Sequence, residues 1–163
     1  MDMKICYFGD YDRKYARNRV VIKGLELNGV EIIECNDNAR GIARYRNIWK
    51  KHKAIKGKYD MMIVGHSDSR LMVLLAKLLS RKSVIMDGFY SVYESYTFDR
   101  KLFSKYSPKA WYHWFLEWMA CKLADRILCD TDQHIDYFRK TFGGSSKKYT
   151  RVLVGADDSV FHL

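Results

Sequence analysis

The stretch Lys4–Cys35, KICYFGDYDRKYARNRVVIKGLELNGVEIIEC, decides the fold of this chain. KICYF (Lys4 to Phe8) is an apolar strand, GDYDRKYARN a polar loop, about Asn18 to Asn28 a helix, and VEIIEC (Val30 to Cys35) a second strand. Gly29 stands where a helix stop is expected, and Val20, Val21, Gly24, Leu25 and Leu27 supply the packed side of the helix. This is a β-α-β unit. Ligands of such units meet the carboxyl ends of the strands, which makes Gly9 to Asn18 the first candidate site. Gly9 admits close backbone approach, and Arg13, Lys14, Arg17 and Arg19 cluster at a helix N-terminus that favours anions. Solvated surface charge is the competing reading.

The loop also excludes two functions. Only Gly9 is present of the three spaced glycines of a dinucleotide fingerprint, which makes Glu34 a poor ribose ligand, and no phosphate-binding P-loop occurs. A free-standing dehydrogenase or NTPase is therefore not expected. Nor is a cofactor or a metal site.

Its 163 residues suit one domain with a sizeable core, and the 48% apolar content and single proline agree. Twenty-nine basic residues against 19 acidic leave a net charge of +10, which favours polyanions, phosphorylated ligands or an anionic membrane surface. Cys6, Cys35, Cys121 and Cys129 lie in apolar segments without metal-ligand spacing, so reduced, buried thiols in a cytoplasmic protein are expected. The chain enters a strand at once and has no apolar run of spanning length; neither a signal peptide nor a transmembrane helix is expected.

Arg40 to Lys58 carries eight basic residues and no acidic one. Ile42, Tyr45, Ile48, Trp49 and Ile55 give it one apolar stripe. Arg40, Arg44, Arg46, Lys50, Lys51 and Lys53 suit anionic lipid at the inner face of a membrane or an acidic polymer, and a plain surface helix is the alternative. Tyr59 to Val64 is a third strand, followed by GHSDS and a helix from about Arg70 to Ser80. Leu71, Met72, Leu74, Leu75, Leu78 and Leu79 are expected to be buried there, with Ser69 or Asp68 as cap. His66, Ser67 and Asp68 thus face the same rim as the first loop. His66 is either a ligand contact or a surface histidine. Adjacent His, Ser and Asp make no catalytic triad, which needs convergence in space.

Ser83 to Met86 is a fourth strand. The connection after it, DGFYSVYESYTFDRKLFSKYSP, is long enough to be a second site element. Lys109 to Ala124 is a helix with an aromatic face of Trp111, Trp114, Phe115, Trp118, Met119 and Leu123. Core packing is expected of that face, with a bilayer interface as the alternative. Arg126 to Cys129 and Thr150 to Val154 are the last strands, enclosing a helix capped by Thr131. The alternation predicts an α/β fold, a Rossmann-like parallel sheet with helices on both faces.

Four segments in order resemble the N-terminal domain of retaining glycosyltransferases of the GT-B fold, family 4. They are the opening KICYFGDYD...RNRVVIKGLELNGVEIIEC, YDMMIVGH, ADRILCDTDQHIDYF and the closing VGADDSVF. The resemblance implies two Rossmann-like domains facing a cleft, with the acceptor on the N-terminal one and the nucleotide-sugar on a C-terminal one that this chain lacks. It therefore implies half an active site, inactive alone, whose sugar acceptor is lipid-linked or phosphorylated. Nucleotide-sugar would bind only with a C-terminal domain or partner subunit. Carried over residue by residue, Gly9, Asp10, Arg17, Asn18 and Arg19 belong to the loop between acceptor and donor phosphate, and His66 and Asp87 are the catalytic candidates. Many members have a histidine after the fourth strand, where MDGFYS here offers Asp87. Ser91, Tyr93, Asp99 and Arg100 match a subgroup's series, and Asp130 and Thr131 complete the rim.

Two readings from other classes compete. One is a non-catalytic basic module binding anionic lipid or another polyanion; specific nucleic-acid recognition is not expected, because no such motif appears. The other is a flavodoxin-like or receiver-like signalling domain, faintly allowed by Asp10 and Asp12.

Overall fold

The computed structural model describes residues 3–155. Six parallel strands form one sheet in the order β2-β1-β3-β4-β5-β6: β1 Lys4–Gly9, β2 Glu31–Asn36, β3 Met61–Val64, β4 Ser83–Phe89, β5 Arg126–Cys129 and β6 Tyr149–Arg151. The connecting helices are α1 Ala16–Leu27, α2 Ile42–Ile55, α3 Leu71–Leu79, α5 Pro108–Leu123 and α6 Asp132–Phe142. A short turn α4, Val92–Glu94, runs into a π-helical turn, Ser95–Asp99. The expected α/β Rossmann-like sheet is present. Its order is the flavodoxin-type variant of the doubly wound class, extended by β6.

That order dictates the layers. Right-handed crossovers place a helix on one face when the chain moves one way along the sheet and on the other face when it moves back. Only the step from β1 to β2 runs in the opposite sense, so α1 stands on one face while α2, α3, α5 and α6 share the other. The strands alternate accordingly. Cys6, Phe8, Met62, Val64, Val84, Met86, Ile127 and Cys129 build the core under the shared layer, whereas Ile5, Tyr7 and Ile63 pack with Ile22 of α1.

Several sequence expectations shift. Ile22 is the buried residue of the α1 stripe, while Leu27 is exposed. On α2 the buried members are Ile48 and His52, and Ile42 and Trp49 face solvent. Leu78 of α3 is exposed, and the N-cap position of α3 is Arg70, with no side-chain cap from Asp68 or Ser69. Strand β4 continues three residues past Met86 to Phe89. Thr131 does cap α6, its hydroxyl accepting from the His134 amide at 3.1 Å. The four cysteines are buried and unpaired. Of the closing motif VGADDSVF, all but Val154 and Gly155 lies outside the described residues.

The expectation for α5 holds in part. Its buried residues are Ala110, Glu117, Ala120 and Cys121; Trp114, Trp118 and Leu123 pack half-buried against the core as expected, while Trp111 and Phe115 are exposed. Small residues let α5 lie close to α3, and Glu117 meets Arg70 in the space between. The Glu117 carboxylate accepts from Arg70 Nε at 2.9 Å, Ser91 Oγ at 2.7 Å and the amides of Val92 and Tyr93 at 3.2 and 2.9 Å. Arg70 Nη2 donates in turn to the carbonyls of Gly88 and Tyr90 at 3.2 and 2.9 Å.

Removing one member of this pair strands a buried charge. Glu117→Ala is expected to lower the free energy of unfolding by about 3–5 kcal/mol, and Arg70→Met combined with Glu117→Leu to recover most of it. Urea unfolding of the three proteins measures this. A Glu117→Ala protein as stable as the parent would remove the pair from its structural role.

Candidate functional site

A groove opens where β1 and β3 end, at the point where the strand order reverses. Doubly wound sheets leave a crevice there because the helices after the two strands lie on opposite faces. The groove has two lobes, of about 440 and 330 Å³, that share Asp10, Ser67 and Asp68. Arg44, Tyr45, Tyr112 and His113 line the larger lobe; Asp12, Tyr15, His66, Tyr90 and Arg100 line the smaller.

Asn18 holds the crevice to its shape. Its Oδ1 accepts from the His66 amide at 2.9 Å and from the Tyr7 hydroxyl at 3.1 Å, and its Nδ2 donates to the carbonyls of Asp12 and His66, both at 3.0 Å. With donors and acceptors used, Asn18 fastens the loop after β1 to the loop after β3. Gly65 is obligatory at this junction: a Cβ there would sit 2.6 Å from Tyr7 Cε1 and 2.9 Å from Tyr11 Cδ1. Gly9, with φ of 131°, turns the chain out of β1 in a conformation other residues rarely adopt.

Arg17 and Asp87 come together beneath this rim. Arg17 Nε lies 3.0 Å from Asp87 Oδ2, Nη2 lies 3.1 Å from Oδ1, and Nη1 donates to the Val152 carbonyl at 2.8 Å. Their side chains are 2% and 0% exposed. Burial pushes the Asp87 carboxyl up, and the Arg17 guanidinium pulls it back. The expected anion contact at Arg17 and the expected sugar-orienting group at Asp87 are thus engaged with each other and closed to solvent. Ser91 is likewise buried and donates to Glu117, and Tyr93 lines a separate apolar slot. Asp99 is exposed in the π-helical turn and Arg19 is half-buried on the first turn of α1. Asp130 pairs with His134, so Asp130 and Thr131 both serve the start of α6.

Of the sequence candidates, Asp10, His66 and Arg100 line the groove. Neither a known protein family nor a curated protein matches the chain. What the groove binds must therefore be argued from its own groups. Ser67 Oγ donates to Asp10 Oδ1 at 2.8 Å, and Arg44 from α2 pairs with the same carboxylate, tying one of the predicted membrane-facing cations to the groove. Lys51 is held by Asp37 at 3.0 Å, and the Lys53 ammonium lies 4.6 Å from the centre of the Trp49 ring; Arg40, Arg46 and Lys50 are exposed. Tyr96 donates to Asp68 at 2.8 Å. Among the described residues no cluster of three or more His, Cys, Asp or Glu side chains is arranged to hold a metal.

Sequence reading named His66 but missed its surroundings. The ring sits 5.6 Å from Tyr15, 5.0 Å from Phe89 and 5.0 Å from Tyr90 between centroids. Burial, seconded by the positive Arg70, brings its pKa down to about 3, against a hydrogen bond that the ring donates to the Asp87 backbone. Nδ1 is buried without a protein partner. A neutral imidazole engaged at its other nitrogen keeps an acceptor lone pair at Nδ1, walled by aromatic rings. Phe89 and Lys101, both with φ of 49°, bracket the segment that brings Tyr90 and Arg100 to the groove. Such backbone strain and a π-helical turn gather at functional sites.

The depressed pKa has a consequence for stability. An unfolded chain protonates this histidine below pH ~6.5 while the folded chain keeps it neutral, so its contribution is complete above that value and lost as pH falls toward the folded value. Between pH 7 and 5 the parent is expected to lose about 2 kcal/mol more than His66→Gln. Urea unfolding at the two pH values checks this, and equal losses would mean that His66 takes up its proton in the fold as readily as in the unfolded chain.

Proposed function

We propose that the chain is the acceptor-binding half of a retaining glycosyltransferase of the GT-B type, silent until a nucleotide-sugar-binding half faces it. The observation that carries the reading is the groove at the reversal of strand order. Its groups suit a hydroxyl-rich ligand: the rings of Tyr15 and Tyr90 offer apolar faces, Asp12 and Asp68 carboxylate acceptors, Ser67 a hydroxyl and Arg100 a donor. The unpartnered His66 Nδ1 completes the set as an acceptor for one ligand hydroxyl. The order of sequence segments supports the same assignment.

In the transfer itself the bond from the anomeric carbon to the diphosphate oxygen breaks, the nucleoside diphosphate leaves with the electron pair, and the acceptor oxygen bonds to that carbon with retained configuration. A histidine whose pKa is about 3 is too weak a base to take the acceptor proton at neutral pH. His66 therefore positions the acceptor hydroxyl, and the departing diphosphate takes the proton. Positioning and charge stabilisation of the leaving phosphates are the protein's contributions, the second supplied mainly by the other half.

Titration of the isotopically labelled chain with mono- and disaccharides, followed by amide NMR shifts, tests the reading. Saturable shifts are expected at Asp10 to Tyr15, His66 to Asp68, Tyr90 and Arg100, with dissociation constants of about 1 mM, as suits half a site. His66→Ala and Asp68→Asn should each weaken them, and uridine diphosphate alone should leave these amides in place. Saccharides that move none of these amides would overturn the assignment, as would nucleotide binding in their stead.

A further inference from the structure

The exposed Trp111 and Phe115 of α5 are joined by a second exposed apolar group from the connection before it. Leu102 and Tyr106 are 58% and 79% exposed, Trp111 and Phe115 62% and 50%. Trp111 also lines a slot of about 320 Å³ together with Tyr93, Lys105 and Trp114. The surface is held in register by ring contacts: Trp111 to Trp114 at 5.9 Å, Phe115 to Trp118 at 5.9 Å, and the Lys105 ammonium 4.9 Å over Tyr106. Because Glu117 is locked inward on Arg70, the helix cannot roll Trp111 and Phe115 into the core.

Charge identifies the occupant. From Phe98 to Leu116 the chain carries Arg100, Lys101, Lys105 and Lys109 against the single acid Asp99. A protein partner's core patch asks for depleted charge, whereas an anionic bilayer asks for this combination, with Trp and Tyr at the interface and lysines at the headgroups. We propose that this face docks the protein on an anionic phospholipid membrane, with Trp111 and Phe115 entering the headgroup and upper acyl layer and Lys101, Lys105 and Lys109 meeting lipid phosphates. Among the described residues no helix is long and apolar enough to cross a membrane, so the attachment is peripheral. Tyr112, next to Trp111, lines the groove, which sets the groove beside the bilayer surface. The docking does not depend on what the groove binds.

The test is co-sedimentation of the full chain with vesicles of phosphatidylcholine alone and of phosphatidylcholine mixed with phosphatidylglycerol, with tryptophan emission and quenching read on the same samples. Binding is expected only to the mixed vesicles, with a blue shift, protection from an aqueous quencher, and weakening as salt rises. Trp111→Ser with Phe115→Ser, and separately Lys101→Gln with Lys105→Gln and Lys109→Gln, should each lower the partition coefficient by about tenfold or more. All five positions are exposed, and an unchanged thermal midpoint confirms folding. Arg46→Gln with Lys50→Gln on α2 should bind within about twofold of the parent. No binding to the mixed vesicles overturns the proposal, as do equal binding to both vesicle types and loss through the α2 variant alone. A vesicle-independent dimer that the aromatic variant dissolves would assign the face to a second copy and overturn it too.

Discussion

A guanidinium at the first turn of a helix opposes the helix dipole, and burying it raises the cost further, so Arg70 is tolerable only because the Glu117 carboxylate meets it. That one ion pair joins three pieces of chain that otherwise meet through apolar packing. It fixes the start of α3, the middle of α5 and, through Ser91, Val92, Tyr93 and the carbonyls of Gly88 and Tyr90, the whole departure of the chain from β4. The wall of the groove is built on it, because Tyr90 stands on the segment it anchors and Arg70 itself lines the larger lobe. The pair also fixes which side of α5 faces inward, and with it the exposure of Trp111 and Phe115.

Beneath the rim the second buried pair, Arg17 with Asp87, does comparable service on the other face of the sheet. It links α1 to β4 and, through Nη1, to the carbonyl of Val152 beyond β6. The two pairs together hold the carboxyl ends of the central strands from both sides. Between them lies His66, uncharged because burial and two neighbouring guanidiniums disfavour its cation. His66, kept neutral and without a protein partner at Nδ1, is equipped to accept a hydrogen bond rather than to move a proton.

Much of the fold was legible because it rests on local periodicity. Strand and helix positions came within a few residues, Thr131 was readable as a cap, and the alternation of elements pointed to a parallel sheet. The aromatic face of α5 was legible only in part: Trp114 and Trp118 pack on the core as the usual rule has it, whereas the exposure of Trp111 and Phe115 follows from the inward line of Ala110, Glu117 and Cys121, which gives only a subtle signal in sequence. For the same reason Arg17 and Asp87 read as site residues, because two charges 70 positions apart give no sign in sequence that each is the other's partner. The groove needed the strand order, which no single segment encodes. Tyr15 and Tyr90 gained meaning only when that order set them on either side of His66.

The pairing of β1 with β3 joins residues as far apart as Lys4 and Asp60, 56 positions along the chain, in a sheet whose other neighbours are all closer in sequence. Closing a loop of that length costs chain entropy before any contact returns it, whereas the units on either side are built from shorter-range pairings. The groove therefore lies along the seam between two locally organised parts of the chain. A molecule settling there would touch both, and bridge the least local strand pairing of the sheet.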